Sequence, residues 1–190
     1  SDLGYVVERA TGKDLTQYAN EKLWQPLGAE HPAFWSLDRE GGDEKSFCCI
    51  YSTSRDFARI GALLNHNGSW KGKRIIPEWY FKEMVSNPKM ATEEGVSNTR
   101  YGLHIWTFDG FGEPVYYCRG IKGQYIISLP KRDLILVRTG HQRAPNFLIP
   151  GSEYHNPAYR AKYDKYIGHP TDLFKYINLA KLLEAQLRFD

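Results

Sequence analysis

A chain of 190 residues with 42% hydrophobic and 14% aromatic content has enough material for one well-cored domain. Its net charge of +3, with no basic run interleaved with aromatics, argues against a nucleic-acid partner. No apolar stretch approaches the roughly 20 residues of a membrane span, and no signal peptide is expected, because the first residues already read as helix. The cysteines are Cys48, Cys49 and Cys118. Adjacent cysteines make a poor disulfide pair and CxxC spacing is missing, so neither a disulfide framework nor a zinc site is expected. The six histidines are scattered without an HExxH pair, and no cofactor is expected.

Residues 3–11 read as helix, with Leu3, Val6, Val7 and Ala10 on one face and Gly12 as its C-cap. Asp14 offers an N-cap with Gln17 three residues on; Leu15, Tyr18, Ala19 and Leu23 form the apolar stripe of a helix near 14–25 that Pro26 and Gly28 end. Residues 29–50 lack periodicity and read as loop, with Phe34 and Trp35 packing down. Thr53 and Asp56 open a helix near 53–66, whose stripe is Phe57, Ile60, Gly61 and Leu64 and whose stop is Gly68. Pro77 starts another, near 77–86, which ends by Asn87-Pro88.

Residues 89–100 are polar and loop-like, and residues 101–108 alternate as a strand should. In that strand Leu103, Ile105 and Thr107 share one face, and His104, Trp106 and Phe108 the other. Asp109-Gly110 and Gly112 turn the chain into a strand near 114–119. Cys118-Arg119-Gly120-Ile121-Lys122-Gly123-Gln124 follows, then a strand at 124–129, a turn at Pro130-Lys131-Arg132-Asp133 and a strand at 134–139. Gly120 and Gly123 permit positive φ or a close approach of backbone to another group. Such a strand end is either a plain antiparallel meander with a glycine bulge or a surface that can bind an oxyanion. Residues 141–168 read as a wrap with a short helix at 157–166, and Thr171 caps a last helix near 171–188. Phe174, Ile177, Ala180, Leu183 and Leu187 are spaced to face a sheet. The whole pattern predicts an α+β fold, an antiparallel sheet flanked by helices.

Three runs carry a resemblance. The first is Gly4 to Lys13 followed by Trp24-Gln25-Pro26-Leu27-Gly28, the second is Ser52 to Gly61, and the third is the 118–138 hairpin. Together, in this order, they resemble the penicillin-recognising serine hydrolases: class C β-lactamases, DD-peptidases, related esterases and 6-aminohexanoate-dimer hydrolases. The resemblance covers most of residues 3–140 and only the C-terminal part of that catalytic domain. It implies that residues 1–190 form a single partial domain of a bacterial hydrolase, with a periplasmic or cell-envelope location. Cys118, Arg119 and Gly120 occupy the family's Lys-Thr-Gly triplet, Ile121 supplies a backbone N–H of the oxyanion hole, and Gly123 and Gln124 line the site. Cys118 stands where Lys or His is usual, so Arg119 is expected to hold an anionic group in its place.

The family's chemistry needs a serine and a lysine one helical turn apart, and a tyrosine that relays a proton. Both motifs belong upstream of the segment this chain resembles. Ser86-Asn87-Pro88-Lys89 has the spacing but a helix-breaking proline. Ser128 and Lys131 sit at a strand end, where i and i+3 diverge. Tyr18-Ala19-Asn20 places its tyrosine on an apolar stripe, and Arg138-Thr139-Gly140 ends the last strand instead of starting the hairpin. No catalytic residue is therefore assigned within the chain. The resemblance implies an amide or ester hydrolase acting through an acyl-serine, inactive as this chain alone; the alternative is a non-catalytic peptide- or glycan-binding module. The implied partners are a small acyl substrate and either the missing N-terminal part or a second copy of the chain.

Overall fold

The computed structural model describes residues 2–88, 90–91, 95, 98–109, 111–143, 156–163 and 166–187. Helix α1 (Asp2–Thr11) ends at Gly12, whose φ of 69° is the left-handed turn that favours glycine. Asp14 caps α2 (Leu15–Ala19) by accepting from the Gln17 amide at 2.6 Å. The helix then widens into a π-turn over Asn20–Trp24. The loop predicted for 29–50 contains half of a small ribbon, β1 (Phe34–Trp35) paired antiparallel with β2 (Ile50–Tyr51). Thr53 caps α3 (Ser54–Asn65) through the Asp56 amide, and a second ribbon follows, β3 (Ser69–Trp70) with β4 (Lys73–Arg74). Pro77 precedes α4 (Glu78–Val85).

The central sheet is an antiparallel meander in chain order: β5 (Trp106–Phe108), β6 (Val115–Gly120), β7 (Gln124–Leu129) and β8 (Leu134–Arg138). The alternation of side chains splits its strands between two cores. On one face Val115, Tyr117, Tyr125, Ile127 and Leu129 pack with Phe108 and with Leu173 and Ile177 of the last helix. On the other, Tyr116 and Cys118 pack against Leu64, Phe81 and Ile105. Helix α3 lies on this second face because residue 61 is glycine: a Cβ there would collide with Ile135 and press on Ile126. Farther along α3, Asn65 accepts a short hydrogen bond from the buried Ser128 hydroxyl and donates to Leu134 O at 3.2 Å. After β8 come α5 (Pro157–Tyr163) and α6 (Thr171–Leu187).

Several expectations need correction. The strand predicted over 101–108 is only its last three residues. Residues 101–105 reverse tightly, with Gly102 N donating to Ile105 O at 2.8 Å and His104 at φ 58°. Gly102 lies so close to the Met84 carbonyl that a Cβ would overlap it, and Leu103 N donates to that same oxygen at 2.9 Å. Contact with the end of α4 thus overrides the alternating pattern. Leu3 and Val6 of α1 do not face a core but are 57% and 59% exposed. Phe34 is exposed also, its strand being too short and too peripheral to bury it. In α6 only the first half meets the sheet; Leu183 and Leu187 are exposed, and Thr171 is the first helical residue, not a cap before it. Cys48 and Cys49 are joined by a disulfide, with Cys49 at a positive φ, in a turn that the adjacency rule discounts. Of the predicted wrap, residues 144–155 and 164–165 lie outside the described residues.

Candidate active site

The candidate site is the tip of the β6–β7 hairpin. Strand pairing runs to Gly120↔Gln124, so Ile121, Lys122 and Gly123 form the loop. Lys122 and Gly123 both have left-handed backbones, at φ 63° and 83°, which is why glycine suits the second of them. Ile121 is 85% exposed at the tip.

Two side chains from outside the loop fix its shape. Arg138, at the end of β8, donates to Gly123 O at 2.5 Å, Lys122 O at 3.3 Å and Gln142 O at 3.4 Å. Its guanidinium fills the space that side chains at Gly123 and Gly140 would need. Gln124 is pinned by the Gly140 backbone, donating from Nε2 to the carbonyl at 2.5 Å and accepting from the amide at 2.9 Å. Gln124 therefore holds two loops together. The Arg138-Thr139-Gly140 imitation of the triplet is this clamp.

Cys118 and Arg119 point to opposite faces of β6. Cys118 packs against the cluster under α3 and α4, and burial pushes its thiol up to about 11, which suits packing and not nucleophilic attack. Arg119 lies on the α6 side. Its guanidinium carbon sits 3.8 Å from the Trp106 ring centroid, and its Nη1 is buried without a hydrogen-bond partner among the described residues. Burial, together with the charges of Arg143 and Arg100, holds its pKa below the ordinary value. Beneath it the Tyr117 hydroxyl meets His169 Nδ1 at 2.8 Å, and Tyr125 Oη donates to Asp172 Oδ1 at 2.6 Å. Burial raises the pKa of both phenols, with the Asp172 hydrogen bond and charge adding to the rise at Tyr125.

The serines at tempting spacings are engaged elsewhere. Ser128 is buried and bonded to Asn65, and Ser86 Oγ donates to Glu83 O at 2.8 Å at the end of α4; Lys89 lies outside the described residues. Among the described residues there is no group of three or more His, Cys, Asp or Glu that would hold a metal ion. No described helix is long and apolar enough to cross a membrane.

The protein-family model for Beta-lactamase matches residues 3–155. The chain belongs to the Beta-lactamase family. It is 25% identical over 141 residues to a 6-aminohexanoate-dimer hydrolase of Paenarthrobacter ureafaciens, covering 72% of this chain and 36% of that protein. A Bacillus anthracis structure, provisionally named a 6-aminohexanoate-dimer hydrolase, superposes with a TM-score of 0.70 at 25% identity. That match covers 96% of this chain and 42% of the other. A provisionally named β-lactamase from Bacteroides dorei shares the fold at a TM-score of 0.53 and 21% identity, over 72% of this chain and 47% of that one. The chain thus spans less than half the length of these relatives. It is similar to β-lactamase-like hydrolases in sequence and in an α+β architecture. The Arg138 clamp, the Arg119–Trp106 stack and the Tyr117–His169 bond all escape sequence reasoning, since each joins residues distant in sequence whose types are ordinary.

Proposed function

We propose that this Beta-lactamase-family chain supplies the oxyanion strand of a serine hydrolase that cleaves an amide or ester. The backbone N–H of Ile121 is the donor, and the serine with its bases comes from sequence outside these 190 residues. The observation that carries the reading is the clamped loop: Arg138 and Gln124 fix Ile121–Gly123 at the end of a sheet strand. Such rigidity is what an oxyanion donor needs, because stabilisation comes from dipoles already aimed before charge develops. When a serine oxygen attacks the acyl carbon, the carbonyl electron pair moves onto oxygen, and the N–H stabilises that charge. A serine hydroxyl is a weak nucleophile until a base takes its proton, and the described serines at Ser-x-x-Lys spacing are buried or capping. Arg119, beside the loop in sequence and without a partner at Nη1 among the described residues, suits a substrate with an anionic group.

The 190-residue chain by itself should show no turnover of a p-nitrophenyl ester. In a longer polypeptide carrying the upstream Ser-x-x-Lys segment, a fluorophosphonate should add its mass once. There Gly120→Val should lower kcat by about 100- to 1000-fold. The cause is steric: a Cβ at Gly120 lies 3.0 Å from Gln124 Cβ, and Gln124 is what pins the neighbouring loop. Saturable turnover by the isolated chain that one Ser→Ala change abolishes would overturn the reading. So would a Gly120→Val enzyme of unchanged kcat.

A further inference from the structure

A cavity of about 350 Å³ lies across the β5 edge of the sheet. Tyr116, at its wall, stands four residues before Gly120, roughly 13 Å along an extended strand. The cavity is therefore separate from the candidate oxyanion loop. Val85, Phe108, Pro114 and Tyr116 give it an apolar body, and Asn87, Thr99 and Asp109 form an exposed polar rim.

His169 lines the cavity although only 2% of its surface is exposed. Its Nδ1 lies 2.8 Å from the Tyr117 hydroxyl, and no other hydrogen bond of the ring is present among the described residues. The direction of that bond follows from counting protons. Tyr117 is fully buried and this is the single bond its hydroxyl makes among the described residues. If His169 donated, the phenol proton would be left buried without an acceptor, at a cost of about 1–3 kcal/mol. Tyr117 therefore donates and Nδ1 accepts. Burial, aided by the charges of Arg100 and Arg119, drives the imidazole pKa down to about 3, so the ring is neutral. A neutral ring that accepts at Nδ1 carries its proton on Nε2.

We propose that this cavity is a second binding site, for a small neutral carbonyl compound. Its oxygen accepts from His169 Nε2–H, and its hydrocarbon part lies over the sheet edge, where Phe108 lines the cavity from one face and Tyr116 from the other. The rim selects against anions, because Asp109 would repel them. The floor selects against cations, because it presents a donor. The volume is at the lower end of the ordinary range for small-molecule sites.

The test uses the 190-residue chain and 2-piperidone, a cyclic amide. NMR of the imidazole nitrogens should find the proton of His169 on Nε2. Titration should shift the Phe108, Tyr116 and His169 signals saturably. Pentanoate and pentylammonium should bind more weakly. Thr99→Trp, at an exposed rim position, should abolish the shifts. His169→Gln, which can both accept from Tyr117 and donate to the ligand, should retain binding, and His169→Phe should weaken it roughly tenfold. A proton found on Nδ1 would overturn the proposal. So would the lack of saturable shifts up to the solubility limit, or shifts that persist in Thr99→Trp. None of these readouts depends on hydrolase activity.

Discussion

The carboxylate of Asp56 accepts from the Glu30 amide at 2.8 Å, the His31 amide at 3.1 Å, the Thr53 hydroxyl at 2.9 Å and Arg59 Nη1 at 2.8 Å. Burial by itself would raise its pKa, but these donors and the Arg59 charge outweigh burial and lower it from the usual 3.8. A depressed carboxylate contributes stability above its unfolded pKa and loses it as pH falls through the folded value. Asp56→Asn should therefore destabilise the chain by about 2–4 kcal/mol near neutrality. The gap should narrow below about pH 4, where the unfolded chain's carboxylate takes up a proton that the native one still resists, and should be lost as pH falls through the lower native value. Urea midpoints of both proteins at neutral and acid pH measure this, and a gap independent of pH would refute it. Asp56 illustrates how much of a residue's role the sequence reveals. Its place three after Thr53 identifies the cap, but its partners Glu30 and His31 sit in a loop without periodicity. The same holds at the candidate site. Glycine spacing points to Gly120 and Gly123, whereas Arg138 is an ordinary strand residue until the fold brings β8 beside the loop.

Elements were legible where local pattern and tertiary environment agree. The β6, β7 and β8 strands lie within a residue of their expected bounds and read as nearly continuous apolar runs, because both faces of the sheet are covered by α3 or α6. β5 does not, because Gly102 is drawn against the end of α4. Helix α6 is legible as a helix, but its periodic stripe overstates its burial. Helix α3 offers the sharpest test of packing at this scale. Gly61→Leu should improve helix propensity by up to about 1 kcal/mol. It must also force a side chain into the space of Ile135, for a net loss of about 1–3 kcal/mol or more. Thermal unfolding of the variant decides between the two effects, and a raised midpoint would show that the contact is not as close as described.

At the scale of the molecule, apolar surface is left bare along α6, where Leu179, Leu182, Leu183 and Leu187 are 48%, 65%, 51% and 78% exposed. β8 is an edge strand beside it. Such surfaces favour pairing with another polypeptide. Light scattering should show the wild-type chain associating as concentration rises, and Leu182→Lys with Leu183→Lys should reduce that association without lowering the unfolding midpoint. A wild-type chain monomeric at high concentration would refute this. The order of strands in the sheet bears as well on how the chain reaches its native state. The register pairs Phe108 with Val115, Gly120 with Gln124 and Leu129 with Leu134, so each hairpin closes a short loop. Docking of α3 instead joins Asn65 to Ser128 across 63 residues and closes a long one. Closing short loops costs less chain entropy, and few residues need to meet by diffusion. The meander should therefore form in the folding transition state and α3 should dock after it. In stopped-flow measurements Ile127→Val should slow folding, and Leu64→Ala should mainly speed unfolding.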